Sequence, residues 1–198
     1  PLSMIMGYAE SMENSPNLSE KEKQQILVIK NQSIRIRRLI EDLNLTSKLS
    51  YQMQPLRLDI YRPAALLRQV VTEVLNQEIK EGDTIELELE PGLEQYERKG
   101  DVQLLKRAVE NLVNNSMRHN PPGCHVKVKS WVYEERIVIS VLDDGYGIPS
   151  EVRRALMLEE QPSREIHIMG LRIAKQITEA HKGVFSISDD GKEVQMRL

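Results

Sequence analysis

Cysteine is nearly absent from this 198-residue chain. Cys124 stands alone, so no internal disulfide and no all-cysteine metal site can form. Aromatic residues are almost as scarce, with one Phe and one Trp, so Leu, Ile, Val and Met must fill the core that a hydrophobic fraction of 40% allows. No apolar run approaches the roughly 18 residues of a membrane helix. No polybasic tract is present. A net charge of −3 with 29% charged residues describes a mixed surface, which argues against nucleic acid as the main partner. Repeats and low-complexity tracts are missing as well. The sequence opens on Pro1-Leu2-Ser3, without an initiator Met or a signal-peptide pattern, so a segment of a longer protein is expected. The length suits one or two domains.

Helical periodicity fills residues 1–50. Leu2, Ile5, Ala9 and Met12 recur at three and four, one apolar stripe. Asn14-Ser15-Pro16-Asn17 interrupts it with turn chemistry. Ser19, with Glu22 three residues later, forms a capping box that opens a second helix. There Ile26, Ile29, Ser33, Ile36, Ile40, Leu43 and Ser47 trace a heptad seam of about 30 residues, roughly 45 Å of helix. Leu39 widens the stripe beyond a two-strand seam. A two-helix hairpin cannot bury such a stripe alone. Either dimerisation into a four-helix bundle or packing on a second domain completes it.

After a connector over 51–62, with a short strand at 56–60, the period alternates. Helices are expected at 63–80, 101–119, 150–158 and 168–181. Strands are expected at 85–89, 126–133, 136–142, 184–188 and 193–198. Pro63 suits a first helical turn and Asp101 an N-cap, while Lys182-Gly183 reads as a helix stop. Glu134-Glu135 and Asp189-Asp190-Gly191 turn two hairpins. Helices and mostly antiparallel strands without strict alternation define an α+β layered sandwich. The expected domains are residues 1–52 and 53–198.

Three segments carry chemistry. In Glu110-Asn111-Leu112-Val113-Asn114-Asn115-Ser116-Met117-Arg118-His119, residues Asn111, Asn115 and Arg118 fall at i, i+4 and i+7 on one helix face. Amides on an otherwise apolar helix are costly to bury without partners, so they line either a polar cleft or plain solvent. An Asn carbonyl is a hard ligand suited to Mg²⁺, and Arg118 or His119 can meet phosphate charge. In Val141-Leu142-Asp143-Asp144-Gly145-Tyr146-Gly147-Ile148-Pro149 an apolar strand delivers a carboxylate into a glycine loop. Such a loop accepts a flat ligand close to its backbone, and a carboxylate can accept from an exocyclic amine; an ordinary Asp-Gly turn is the other reading. Met169-Gly170-Leu171-Arg172 starts a helix whose free N–H groups suit an anion, or simply start a helix.

In this order and spacing the three segments resemble the N box and two glycine boxes of the sensor histidine kinase ATP-binding domain. That family shares its Bergerat-type pocket with gyrase, the mismatch-repair ATPase and the heat-shock chaperone of the superfamily. Pro1-Leu2-Ser3-Met4-Ile5-Met6-Gly7-Tyr8-Ala9-Glu10 and Arg38-Leu39-Ile40-Glu41-Asp42-Leu43 resemble its dimerisation helices, so the likeness covers essentially the whole chain. A pocket preceded by a heptad hairpin sets the chain apart from the gyrase and chaperone branches. The implied fold is a helical hairpin for dimerisation followed by an α/β sandwich that binds ATP.

The resemblance implies roles by matching position. Asn111 contacts the phosphates, Asn115 is the Mg²⁺ ligand, and Arg118 and His119 stand beside the phosphates and adenine. Asp143 holds the adenine amine, Gly145 and Gly147 shape the floor, and Ile148 lies against the base. Gly170 and Leu171 begin the helix under the phosphates, and Glu110 is placed to polarise the acceptor. The implied activity is a histidine kinase of a two-component phosphorelay, with ATP and Mg²⁺ as cofactors. Its partners are a second copy of the chain and a response-regulator receiver domain. It would sit in the cytoplasm, anchored to the bacterial cell membrane only through an upstream segment. An alternative is a dimeric scaffold that docks a response regulator without turnover.

Departures from the family pattern are specific. The phosphoacceptor lies five residues before the Pro that is Pro1 here, and His119, His125, His167 and His181 all fall outside the hairpin. The segment is therefore expected to bind nucleotide without phosphorylating itself. Residues 151–166 contain no Phe, and Ile166 and Ile168 stand where the second glycine box has two of its three glycines, leaving Gly170. A short lid with an altered phosphate grip is expected.

Overall fold

The first helix, α1 (Leu2–Glu13), ends on Asn14, and the second, α2 (Glu20–Ser50), starts after the expected capping box. Ser19 N–H donates to Glu22 Oε2 at 2.8 Å, while Glu22 N–H donates to Ser19 Oγ at 3.3 Å. The computed structural model describes residues 1–15, 18–51, 55–76, 80–158 and 169–198, so Pro16 and Asn17 of the expected turn lie outside the described residues. Two compact units result, Pro1–Ser47 and Lys48–Leu198.

Within the hairpin the heptad seam divides in two. Ala9, Ile26, Ser33 and Leu45 are buried inside one chain. Ile29, Ile36, Ile40 and Leu43 remain 42–56% exposed, as do Ile5, Tyr8 and Met12 of α1 at 45–67%. A two-helix contact covers only one side of each stripe. Periodicity could not separate the two sides, because both recur at three and four.

The second unit begins with β1 (Asp59–Tyr61), later and shorter than expected. It is followed by α3 (Pro63–Leu75), β2 (Thr84–Leu89), a 3₁₀ turn (Leu93–Gln95) and β3 (Arg98–Gly100). Then come α4 (Val102–His119), β4 (His125–Tyr133), β5 (Arg136–Asp143) and α5 (Ser150–Met157). The chain closes with α6 (Met169–Ala180), β6 (Val184–Ile187) and β7 (Glu193–Arg197). The fold class is α+β. Strands β1 and β3 pair antiparallel, and a five-stranded sheet runs β2-β4-β5-β7-β6 with β2–β4 parallel and the rest antiparallel. Its centre, β5, is buried from Ile137 to Val141. The flanking strands alternate: Val126 and Val128 are buried on the face that α4 covers, and Lys127 meets Glu86 on the opposite face at 3.0 Å. The β4–β5 hairpin turns at Glu134 and Glu135, both with positive φ as a tight turn with right-handed strand twist demands.

One expectation shifts on physical grounds. Strand β3 was not expected, because Glu97-Arg98-Lys99-Gly100 has no apolar alternation. It exists by pairing Asp59↔Gly100 and Tyr61↔Arg98 with β1. Helix α6 stops at Lys182-Gly183 as expected: Lys182 takes φ 60 and Gly183 N–H donates to the Thr178 carbonyl at 2.9 Å. Gly183 is needed for another reason: a Cβ there would sit 2.5 Å from the carbonyl of Arg197.

Asp101 ties three parts of this unit together and is itself buried. Its Oδ1 accepts from Leu104 N–H at 3.1 Å, the N-cap of α4, and its Oδ2 accepts from Arg57 N–H at 3.0 Å. Its own N–H donates to His181 Nε2 at 2.9 Å, just past α6, and His181 Nδ1 is 2.7 Å from the carbonyl of Ile177.

Candidate functional site

The site grows from where α4 passes the end of β5. Ser116, on the face of α4 that also carries Leu112 and Val113, is buried, and a buried hydroxyl needs a partner. It donates to Asp143 Oδ2 at 2.7 Å. Asp143 Oδ1 accepts from Gly145 N–H at 3.1 Å. The carboxylate, itself buried, is thereby aimed by one hydroxyl and one amide, and it retains acceptor capacity for an incoming donor.

The glycine loop is clasped from below. Asn120 Oδ1 accepts from Tyr146 N–H at 3.1 Å, and Asn120 Nδ2 donates to the Ser116 carbonyl at 3.0 Å. Lys80 Nζ donates to the carbonyl of Asn120 at 2.6 Å and to that of Arg118 at 3.2 Å, which satisfies the open end of α4. On the far side Ile148 N–H donates to the Gly191 carbonyl at 2.8 Å, and Gly147 takes φ 73 in a space where a Cβ would lie 2.5 Å from the Asp190 carbonyl. Arg153 completes the fastening by donating to the carbonyl of Asp189 at 2.7 Å.

The first turn of α6 lies against the same helix. A Cβ built on Gly170 would be 3.7 Å from the Asn111 side chain. Asn111 Nδ2 is buried and has no hydrogen-bond partner among the described residues. An orphaned amide facing a helix start is what a site for a polyanion leaves when its ligand is absent. Asn115 is half-buried one turn further along α4.

The structure therefore brings Asn111, Asp143, Gly145, Gly147, Ile148, Gly170 and Leu171 onto adjoining elements, with Ile148 and Leu171 buried. Arg118 and His119 are exposed in the last turn of α4. Glu110 faces away from the glycine loop toward Lys106 at 3.8 Å, and Lys106 binds Glu73 of α3 at 2.6 Å. Lys106 holds the Glu73 carboxyl below its usual range. Ile166, Ile168 and His167 lie outside the described residues, as do the other residues of 159–168. Sequence reasoning passed over Ser116, Asn120 and Lys80. A serine on a helix's buried face and an asparagine just past its end were the available signals.

No three His, Cys, Asp or Glu side chains converge as a metal site among the described residues. The donor set that is present, amide oxygens of Asn111 and Asn115, suits Mg²⁺ that brings water and phosphate oxygens of its own. Cys124 is buried beside the loop, and burial pushes its thiol up to about 11. Alkylation by iodoacetamide is accordingly expected to stay slow across pH 7–10 in the folded chain and to become fast on unfolding. Equal rates in both states, followed by mass spectrometry, would contradict this placement.

The second unit is thus an α/β sandwich with an aimed carboxylate and a clasped glycine loop, and it follows a helical hairpin in the chain. Residues 100–198 match the family described as histidine kinase-, DNA gyrase B-, and HSP90-like ATPase, and residues 1–52 match the His Kinase A (phospho-acceptor) domain. The chain belongs to this ATPase family and, with its hairpin, to the histidine kinases within it. Among relatives, the sensor histidine kinase YvrG of Bacillus subtilis is 27% identical over 95% of this chain and 33% of its own length. The sensor protein DivL of Caulobacter vibrioides is 24% identical over 96% of this chain and 25% of its own. The chain thus spans about a third or less of these two relatives. The fold is shared with Acinetobacter baumannii histidine kinase AdeS (TM-score 0.68, 19% identity, 100% of this chain and 94% of that one). It is also shared with full-length ShkA in complex with AMPPNP (TM-score 0.78, 19% identity, 100% and 42%). Among the described residues no helix is long and apolar enough to cross a membrane.

Proposed function

We propose that this chain is the catalytic core of a sensor histidine kinase, which holds ATP with Mg²⁺ and passes the γ-phosphoryl group to a histidine for relay to a response-regulator receiver domain. The observation that carries the reading is the buried Ser116–Asp143–Gly145 arrangement, set on the same helix as an unpartnered Asn111 amide that faces Gly170. Asp143 accepts the exocyclic amine of adenine, and Gly145, Gly147 and Ile148 take the ring. Asn111 and the α6 amides around Gly170 and Leu171 receive the phosphates. Asn115 turns its amide oxygen toward the metal, which when bound neutralises phosphate charge. Arg118 and His119, at the open end of α4, stand beside the phosphates and the base, while Glu110 acts at the acceptor. Catalysis rests on positioning. An imidazole nitrogen attacks the γ-phosphorus, the bond to the β–γ bridging oxygen breaks and ADP leaves. The four histidines of residues 1–198 lie in the second unit's sequence, so the acceptor is a histidine outside this stretch. The membrane is reached through an upstream segment, which leaves this core in the cytoplasm.

Nucleotide binding tests the pocket directly. Asp143→Ala is expected to weaken ATP by about 10- to 100-fold, the range for losing a hydrogen bond to a charged group. Asn115→Ala is expected to act only when Mg²⁺ is present. Wild-type affinity in both variants, by calorimetry with and without Mg²⁺, refutes the assignment.

The hairpin completes itself with a second copy. Ile29, Ile36, Ile40 and Leu43 repeat at heptad spacing and are exposed in one chain, as a four-helix bundle requires of each protomer. Ile36→Glu together with Ile40→Glu is expected to convert a dimer to a monomer on gel filtration. A wild-type chain that already runs as a monomer removes this part of the reading.

A further inference from the structure

A cavity of about 480 Å³ opens at the other end of α4 and α6 from the glycine loop. It is lined by Ile60 and Tyr61 of β1, Arg98 and Lys99 of β3, Leu105 near the start of α4 and His181 just past α6, with Glu97 and Leu198 at its edge. Leu105 precedes Asn111 by six residues, about 9 Å along the helix, and His181 lies eleven residues beyond Gly170. Neither the mechanism nor the nucleotide site uses any of these side chains.

Gly100 lets its walls approach: a Cβ there would lie 2.8 Å from Leu105 Cδ1 and 2.9 Å from Tyr61 Cε1, so a larger residue would push these two lining side chains aside. Tyr61 is 8% exposed, yet its hydroxyl makes no hydrogen bond to the protein among the described residues. Burial pushes this phenol up to about 12, so it is a neutral donor at working pH. The hydroxyl is not among the fully enclosed polar atoms without a partner, so it opens to the cavity and is available to a ligand. Beside it stand two cations. Arg98 lies 5.6 Å from the Tyr96 ring centroid and has no ion pair among the described residues; Lys99 is exposed. The one carboxylate side chain in the lining, Glu97, is already held by Arg62 at 3.0 and 3.1 Å. The remaining surface is apolar. Leu105 is buried, Ile60 is 65% exposed at the rim, and His181 has both nitrogens engaged and offers only its ring edge.

We propose that this cavity is a second ligand site, for a small amphipathic organic anion with a carboxylate or sulfonate on a flat apolar body. The anion meets Arg98 and the Tyr61 hydroxyl, which share one face of the β1–β3 pair, with Lys99 adding its charge from the rim beside Ile60, and the apolar body lies against Leu105. Both the volume and the mix of apolar wall with few convergent donors are those of ligand pockets. The proposal stands whether or not the nucleotide reading does.

Titration of the whole chain with 2-naphthoate, followed by ¹H–¹⁵N NMR, tests it. Saturable shifts are expected at the amides of Gly100, Leu105 and His181, with a Kd below about 1 mM. The neutral 2-naphthalenemethanol should bind at least several-fold more weakly. Tyr61→Phe keeps the ring and Lys99→Gln changes only an exposed side chain. Each should weaken naphthoate by roughly 5-fold, and Arg98→Gln by more, as expected for removing one charge-assisted hydrogen bond. Three results overturn the proposal: no saturable shift, equal binding of the alcohol, or shifts confined to residues 143–148.

Discussion

Gly145→Ala is expected to cost this chain the nucleotide site proposed for it. The added Cβ would stand 1.9 Å from Asn120 Oδ1 and 2.0 Å from its Cγ, and Asn120 has little room to yield. Its side chain is buried, bonded to the Ser116 carbonyl on one side and to Tyr146 N–H on the other. The clash therefore breaks the clasp and displaces Asp143, whose Oδ1 is held by the amide of residue 145 itself. Loss of affinity for ATP of roughly 100-fold is expected, with a stability cost of about 2–3 kcal/mol from overpacking and broken hydrogen bonds. Combining the change with Asn120→Gly removes the obstructing atoms, so the pair should be less damaging than the sum of the singles. Fluorescent-nucleotide binding and urea unfolding on the four proteins read this out. Strict additivity, or wild-type affinity in Gly145→Ala, contradicts the packing described.

The second large effect belongs to Asp101→Ala. The substitution removes the N-cap of α4, worth about 1 kcal/mol, and strands the Arg57 amide that Oδ2 receives. A total of about 2–4 kcal/mol is expected, with a fall in Tm of several degrees for a chain of this size. Asp101→Asn keeps one carbonyl oxygen for the cap and should lose about half as much. A denaturation midpoint unchanged by Asp101→Ala would show that these bonds form equally well in water.

Much of this architecture could be read from the residues because local chemistry and tertiary demand agree. Ser19 and Glu22 announce the start of α2, Asp101 that of α4, and the alternation of 126–133 and 136–142 gives a hairpin that the structure shows turning at Glu134 and Glu135. The misses are of one kind: features that exist only through a distant partner. Strand β3 has no apolar alternation and is made by β1. Gly183 does help to stop α6, but the second demand on it, from the carbonyl of Arg197 across the fold, is invisible in sequence. The split of the hairpin's stripe depends on which side meets the other helix. At the site, Asp143, Gly145, Asn111 and Asn115 stood out by type and spacing. Ser116 and Asn120 did not, because a serine and an asparagine near a helix end are ordinary in sequence, and only the folded chain shows what they hold.

Asp101 also bears on how movement can travel through this molecule. Residues 55–58 are the strap that leads into β1, and the Arg57 amide is pinned to the carboxylate at the root of α4. The next link, from the Asp101 amide to His181, fastens the tail of α6 to the same point. Any tug on the strap longer than a hydrogen bond must either snap that pin or haul on two helices together. Asp101 is thus one point, among the described residues, at which a displacement of residues 55–58 reaches both helices.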